Sequence, residues 1–244
     1  VRARSEFHHG LVRQVEHRRT HPDAEAADLL SLLAEATSED GDRLDSQEIA
    51  DQLLTLIVAG HESSAATMAW GLRLLCQHPA VLAHVRAEVE ALGPAPDPIE
   101  LSRAPWLEGV VLETLRLYPA ALELRNRVLR EPATLGSWGL PAGANLVVSP
   151  LLIHRRADLY ERPLEFAPER FFERRCPAHE FVPFGGGTRR CVGDRFARFE
   201  IALTLAAFVE RLDLELVDPE ERRQRANAFM IPSRGTRVRA HRRA

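Results

Sequence analysis

The chain has 244 residues, enough for one large domain or two small ones and for a sizeable buried core. Hydrophobic residues make up 45% and charged residues 27% of it, which excludes a disordered chain, and a formal net charge of −3 excludes nucleic-acid binding by overall charge. All 32 strongly basic residues are Arg, and the three Cys, Cys76, Cys176 and Cys191, have no C-x-x-C spacing, which excludes a disulfide framework and points to a reducing, cytoplasmic setting.

Residues 11–19 read as a polar helix. Residues 24–37 carry Leu29, Leu30, Leu32 and Leu33 at helical spacing and stop near Asp40-Gly41. Ser46 is the expected cap of a long helix that runs through Leu53, Leu54, Leu56, Ile57 and Val58 to Cys76, with Pro79 closing it. Its middle is apolar on every side, which predicts a helix surrounded by protein. A helix over residues 81–92 follows, then a stiff Gly/Pro linker at 93–98, then a helix over 107–117 that stops before Pro119. Beyond it the pattern changes to short strands at 122–129 and 144–149, broken by Gly136, Gly139, Pro141 and Gly143. Residues 161–190 read as a long loop, a length that in a compact protein is usually functional. A helix over 192–211 and strands at 212–217, 226–231 and 236–239 complete the chain.

The tail from Arg222 onward holds eight Arg and no acid. It reads as a solvated hairpin and not as a nucleic-acid site, because only this segment is basic. The longest apolar run, residues 53–60, is far short of the ~20 residues that span a bilayer, so no membrane anchor is visible. The chain opens on Val1 inside a helical pattern, as a piece of a longer chain would.

The most informative stretch is Phe184-Gly185-Gly186-Gly187-Thr188-Arg189-Arg190-Cys191-Val192-Gly193. A Gly-rich loop delivers one Cys to a predicted helix start, where N–H groups and the dipole favour a thiolate. Glycines also let the backbone approach a flat object. From the residues alone a metal-ligating thiolate, a redox or nucleophilic Cys and a purely structural Cys all stay open. A phosphate cradle fits less well, for want of a P-loop Lys and a preceding strand.

Phe184, Gly187, Arg189, Cys191 and Gly193, with this spacing, resemble the haem-binding signature of the cytochrome P-450 family of haem-thiolate monooxygenases. Three further matches occur in the family's order: Ala59-Gly60-His61-Glu62-Ser63-Ser64 resembles its oxygen-activation motif, Glu113-Thr114-Leu115-Arg116 its Glu-x-x-Arg helix, and Pro168-Glu169-Arg170-Phe171 its Pro-Glu-Arg-Phe motif. The resemblance spans nearly the whole chain. It implies a mainly α fold with minor β, the C-terminal portion of the family fold as a single incomplete domain over residues 1–244.

The resemblance further implies that Cys191 is the proximal thiolate of haem b, with Phe184, Gly187, Arg189 and Gly193 in the binding loop and Ala59 and Gly60 where haem or dioxygen lies against the long helix. Arg189 and either Arg125 or Arg127, Arg127 favoured by spacing from Pro141, would hold the propionates. Glu62 and Ser63 would relay protons, Ser63 standing where the family most often has Thr. A Ser or Thr hydroxyl that bonds back to a carbonyl can open a helix locally. Glu113, Arg116 and Arg170 would form a buried triad anchoring the Cys loop. His154, in His154-Arg155-Arg156, reads as structural, and Cys76 and Cys176 as inert. Residues 120–124 and 226–230, Glu123 apart, would line a pocket for a small apolar substrate. Electrons would come from NAD(P)H through a separate ferredoxin or flavoprotein reductase, docked on Arg190 and Arg195. Two other readings are a haem-binding fragment without activity and a peroxygenase driven by hydrogen peroxide. The intact Glu62, Ser63, Glu113, Arg116 and Cys191 set speaks against both.

Overall fold

The computed structural model describes residues 2–23, 25–26, 28–37, 40–124, 126–173, 176–220, 223–226, 229–232 and 235–243. Two compact units emerge, Val1–Glu62 and Ser63–Ala244. The elements are mainly helices with four small two-stranded sheets.

The first unit holds α1 (Arg2–Thr20), α2 (Leu29–Glu35) and the first half of α3 (Ser46–Gln77). Val15, Ile49 and Leu53 are buried together, with Leu11, Leu30 and Leu33 packed on them. Helix α2 starts at Leu29, later than the expected start at residue 24, because Asp28 caps it. The Asp28 side chain accepts the Ser31 N–H at 2.8 Å, and that bond holds the carboxyl below its ordinary range. Ala24 and Ala27, in the predicted first turns, lie outside the described residues.

Helix α3 is capped one residue earlier than expected. Glu48 N–H donates to Asp45 Oδ1 and Asp45 N–H donates to Glu48 Oε2, each at 2.8 Å. This reciprocal box satisfies two free N–H groups at once, which a Ser46 cap could not do with the same partner. The helix then stays α-helical from Ser46 to Gln77, without the opening expected near Ser63. Its predicted envelope is also missing: Ile57 is 49% and Val58 61% exposed, because the described residues leave this stretch of α3 uncovered.

The second unit holds the rest of α3, α4 (Pro79–Ala91), α5 (Pro98–Ser102), α6 (Pro105–Leu117), α7 (Pro150–Ile153) and α8 (Asp194–Arg211). Its core gathers Leu75, Val85, Leu107, Val110, Ile201, Leu205 and Val209 from α3, α4, α6 and α8. Within the predicted linker, Asp97 accepts the N–H groups of Ile99 and Glu100 at 2.7 and 3.1 Å and so starts α5. Helix α6 has no cap of its own at Ala104. Glu88 of α4 supplies it, accepting from Trp106 N–H at 2.9 Å and Leu107 N–H at 3.0 Å.

The strands pair antiparallel: β1 (Arg127–Val128) with β4 (Asn145–Leu146), and β2 (Ala133–Leu135) with β3 (Trp138–Leu140). At the end of the chain β5 (Leu212–Leu216) pairs with β8 (Val238–Arg242), Leu214 facing Ala240. The strand expected over 226–231 is instead a hairpin of β6 (Arg223–Ala226) and β7 (Phe229–Pro232); Arg222, Asn227 and Ala228 lie outside the described residues. The tail is fastened as well as solvated. Trp70 Nε1 donates to Met230 O at 3.0 Å, Thr236 Oγ1 to Ala69 O at 2.6 Å, and Arg73 to the carbonyls of Asp218 and Pro219 at 3.0 and 2.8 Å. Met230 is buried by this grip.

Candidate functional site

Glu113 and Arg116 lie one turn apart on α6 and are both wholly buried. Arg116 donates from Nε to Glu113 Oε2 at 2.6 Å and from Nη2 to Oε1 at 2.8 Å. Its remaining N–H groups go to the carbonyls of His154 (2.7 Å), Pro163 (2.7 Å) and Glu165 (3.1 Å). All five guanidinium donors are therefore engaged, and the guanidinium lies 5.0 Å from the Tyr160 ring centre. Arg170 joins from the long loop, donating from Nε to Glu113 Oε1 at 3.0 Å and from Nη1 to Glu161 O at 3.0 Å. Its Nη2 is buried without a partner. Ala167 N–H also donates to Glu113 Oε1, at 3.0 Å. The three predicted charges meet, and they hold residues 161–170 against α6.

One turn before Glu113 sits Gly109. A Cβ there would lie 2.8 Å from Pro168 O and 3.0 Å from a ring carbon of Phe172. Only a residue without a side chain lets the Pro168–Phe171 turn come this close. Sequence reasoning passed over it, although a Gly inside a strongly helical pattern is itself a signal.

His154 is buried completely. Its Nε2 accepts Val182 N–H at 2.9 Å, so Nδ1 carries the proton and donates to Arg116 O at 3.1 Å. Burial pushes its pKa down to about 4, and the nearby Arg116 charge acts the same way. The ring is neutral at pH 7 and structural, as the sequence reading has it.

The Gly-rich loop closes on itself. Gly185 N–H donates to Val182 O at 3.1 Å, Arg190 N–H to Gly187 O at 3.1 Å and Cys191 N–H to Phe184 O at 2.9 Å. Gly185 and Gly187 adopt φ of +71° and +64°, in the left-handed region that favours glycine. Cys191 emerges exposed, and so does Arg189. Helix α8 begins at Asp194 and not at 192, because residues 191–193 form a turn. Arg190 pairs with the nearly buried Asp194 through Nη2, and through Nε at 3.0 Å. Its side chain is still half exposed, and Arg195 is exposed as well.

The remaining predicted residues are more scattered. Ala59, Gly60 and Glu62 are exposed on α3 and Ser63 is half-buried; the Thr67 hydroxyl donates to Ser63 O at 3.0 Å. Arg127 is exposed on β1, and Arg125 lies outside the described residues. The two segments expected to line a pocket do meet: Met230 N–H donates to Ala120 O at 2.9 Å, and Ala121 bridges Phe229. Leu124 lies beside Gly185. Cys76 and Cys176 are half-buried, and burial pushes the Cys76 thiol pKa up.

Among the described residues no group of three or more His, Cys, Asp or Glu is placed to hold a metal ion. A lone thiol suits a metal that brings its other ligands in a macrocycle. Around Cys191, Val192 is 87% and Phe196 69% exposed, apolar surface waiting for an apolar face. Gly186 and Gly187 have no atom within 4 Å of where a Cβ would stand, so the backbone is open to a flat group. The residues fit a haem held through Cys191. No helix among the described residues is long and apolar enough to cross a membrane.

Known proteins agree with this geometry. The solved haem domain of cytochrome P450DA superposes with a TM-score of 0.90 at 26% identity, over 98% of this chain and 54% of its own. Retinoic-acid-bound cyanobacterial CYP120A1 gives 0.89 at 29% identity, over 99% and 56%. Cytochrome P450 137 of Mycobacterium tuberculosis (strain CDC 1551 / Oshkosh) is 40% identical over 241 residues, 98% of this chain and 48% of the relative. The chain thus spans about half the length of the curated relatives it matches. The family model for cytochrome P450 matches residues 1–240, and with the thiol loop and the buried Glu–Arg–Arg network in place, the chain belongs to the cytochrome P450 family.

Proposed function

We propose that the protein serves as a haem-thiolate monooxygenase, placing one oxygen atom from dioxygen into a small apolar substrate. The observation that carries this is the exposed Cys191 thiol in an open glycine loop bordered by bare apolar side chains. Haem b, when bound, supplies the dioxygen chemistry, and thiolate ligation favours O–O cleavage. Cys191 ligates it, with Phe184, Gly187 and Gly193 shaping the loop and Arg189 and Arg127 taking the propionates. Ala59 and Gly60 leave little side-chain bulk on that part of α3, and Glu62 and Ser63 move protons there. Glu113, Arg116 and Arg170 bear no chemistry; they hold the loop. Residues 120–124 and 229–230 contribute apolar lining. A ferredoxin or flavoprotein reductase brings electrons from NAD(P)H in a cytoplasmic setting, with Arg195 among the groups that meet an acidic partner.

The absorption spectrum of the reduced, carbon-monoxide-bound protein tests the assignment. The wild type, Cys76→Ser and Cys176→Ser should show the red-shifted Soret band of a thiolate-ligated haem, and Cys191→Ser should not. A thiolate band surviving in Cys191→Ser would overturn the ligand. In the haem-loaded protein, Ser63→Ala should keep substrate binding and divert reducing equivalents to peroxide. Equal turnover with hydrogen peroxide alone would move the activity to a peroxygenase.

A further inference from the structure

The hydrogen bonds of the ion network to the long loop reach Glu161, Pro163, Glu165, Ala167 and Arg170, whereas Cys191 lies well beyond them in the chain. His154 makes a direct hydrogen-bonded join between the two. His154 Nδ1 donates to Arg116 O, at the charged turn of α6, and Nε2 accepts Val182 N–H. Val182 O in turn accepts Gly185 N–H, and Phe184 O accepts Cys191 N–H. The ring also stacks on Phe181, centres 5.3 Å apart, and meets Tyr160 edge-on at 6.4 Å. The Tyr160 hydroxyl donates to Glu180 O at 2.9 Å. Residues 180–182, the root of the Cys loop, are thus held by His154 and Tyr160 alike.

We propose that His154 is a positioning residue, a clasp of fixed tautomer between Arg116 and Val182 through which the buried ion network sets the geometry of the Cys191 loop. This rests on the reading of Cys191 as the haem ligand. Both ring nitrogens have a required role, one donating and one accepting. An apolar residue would leave two buried backbone groups unpaired, and a residue that keeps only one nitrogen's role would keep only one end of the clasp. Asn matches the inner nitrogen: its amide N–H reaches Arg116 O but nothing reaches Val182. Gln matches the outer one, with a carbonyl oxygen near the Nε2 position to accept Val182 N–H.

Amide hydrogen exchange of the full chain, read peptide by peptide, separates a clasp from general support. In His154→Asn, residues 182–191 should exchange roughly tenfold faster, equivalent to about 1.4 kcal/mol of lost protection, while α6 keeps its wild-type protection. In His154→Gln, which keeps the Val182 end alone, residues 182–191 should lose less protection than in Asn. With haem loaded, the fraction of the reduced carbon-monoxide complex showing the thiolate band should fall in Asn and fall less in Gln. The clasp is overturned if Asn leaves 182–191 protected, if Gln opens them as much as Asn does, or if α6 loosens equally. Absence of a thiolate band in the wild type would sink the haem reading alone, since the exchange pattern is read without haem.

Discussion

Around Glu113 the carboxylate and two guanidinium groups lie out of solvent with every polar atom but Arg170 Nη2 engaged, whereas around Cys191 the thiol, Arg189, Val192 and Phe196 all face outward. One loop runs from the first region to the second. Its first part is clamped by charge-assisted bonds that need their geometry; its last part is closed by backbone bonds and glycines and leaves its chemistry open. A buried ion network is weak evidence of net stability, yet breaking it strands a charge. A surface thiol contributes almost nothing to folding. The clamp therefore holds one conformation, and the thiol region is the part free to take a ligand.

The largest effect should come from dismantling the clamp. Glu113→Gln or Arg116→Leu leaves a buried charge without its partner, at a cost of about 3–5 kcal/mol, read as a lower urea midpoint, and the protein should retain little or no haem. Wild-type stability and haem content in both would place the pair outside any supporting role.

Acid should loosen the join between the regions. The folded His154 pKa of about 4 lies below the unfolded value of 6.5, so the unfolded chain takes the proton first. Stability fully present above pH 6.5 is then lost as pH falls toward 4, by roughly 3 kcal/mol in all. The charged group facing the ring is Arg116, from α6; Tyr160, from the loop, is uncharged across this range. Urea midpoints at pH 7 and pH 4.5 should differ less in His154→Gln than in the wild type. Equal pH dependence in the two proteins would show that other groups carry the acid response.

Gly109→Ala should act next in size. The added methyl must move Pro168 O from 2.8 Å, at about 1–3 kcal/mol, and should draw Arg170 away from Glu113. Thermal unfolding checks the first effect, and faster amide exchange at residues 167–170 the second. A neutral result would mean that the turn shifts freely against α6.

At the small end, Cys191→Ser should change stability by less than about 0.5 kcal/mol, as exposed substitutions do, while removing the thiolate spectrum. Substantial unfolding of this variant would erase the contrast between a supporting and a reactive region.

Much of the site was readable in residue order. The Cys loop, the Glu113–Arg116 pair and the Arg170 turn are short motifs whose chemistry lies within a few positions, and α4, α6 and α8 announce themselves by periodicity and Pro boundaries. Caps were harder, because Asp45 competes with Ser46 on equal local terms and the choice turns on whether Glu48 can answer. The envelope of mid-α3 was misjudged for a different reason: an apolar stretch says that something should cover it, not that these residues do.

By itself the sequence determined that the fold is mainly helical and which residues are candidates for the chemistry, since local spacing and residue type govern both. Only the tertiary structure decided that Glu88 caps a helix other than its own, that Gly109 exists for Pro168, and that His154 joins Arg116 to Val182. Each of these is a contact between segments distant in the chain. Its partner is chosen by what packing brings within a few ångströms, and linear order does not encode that distance.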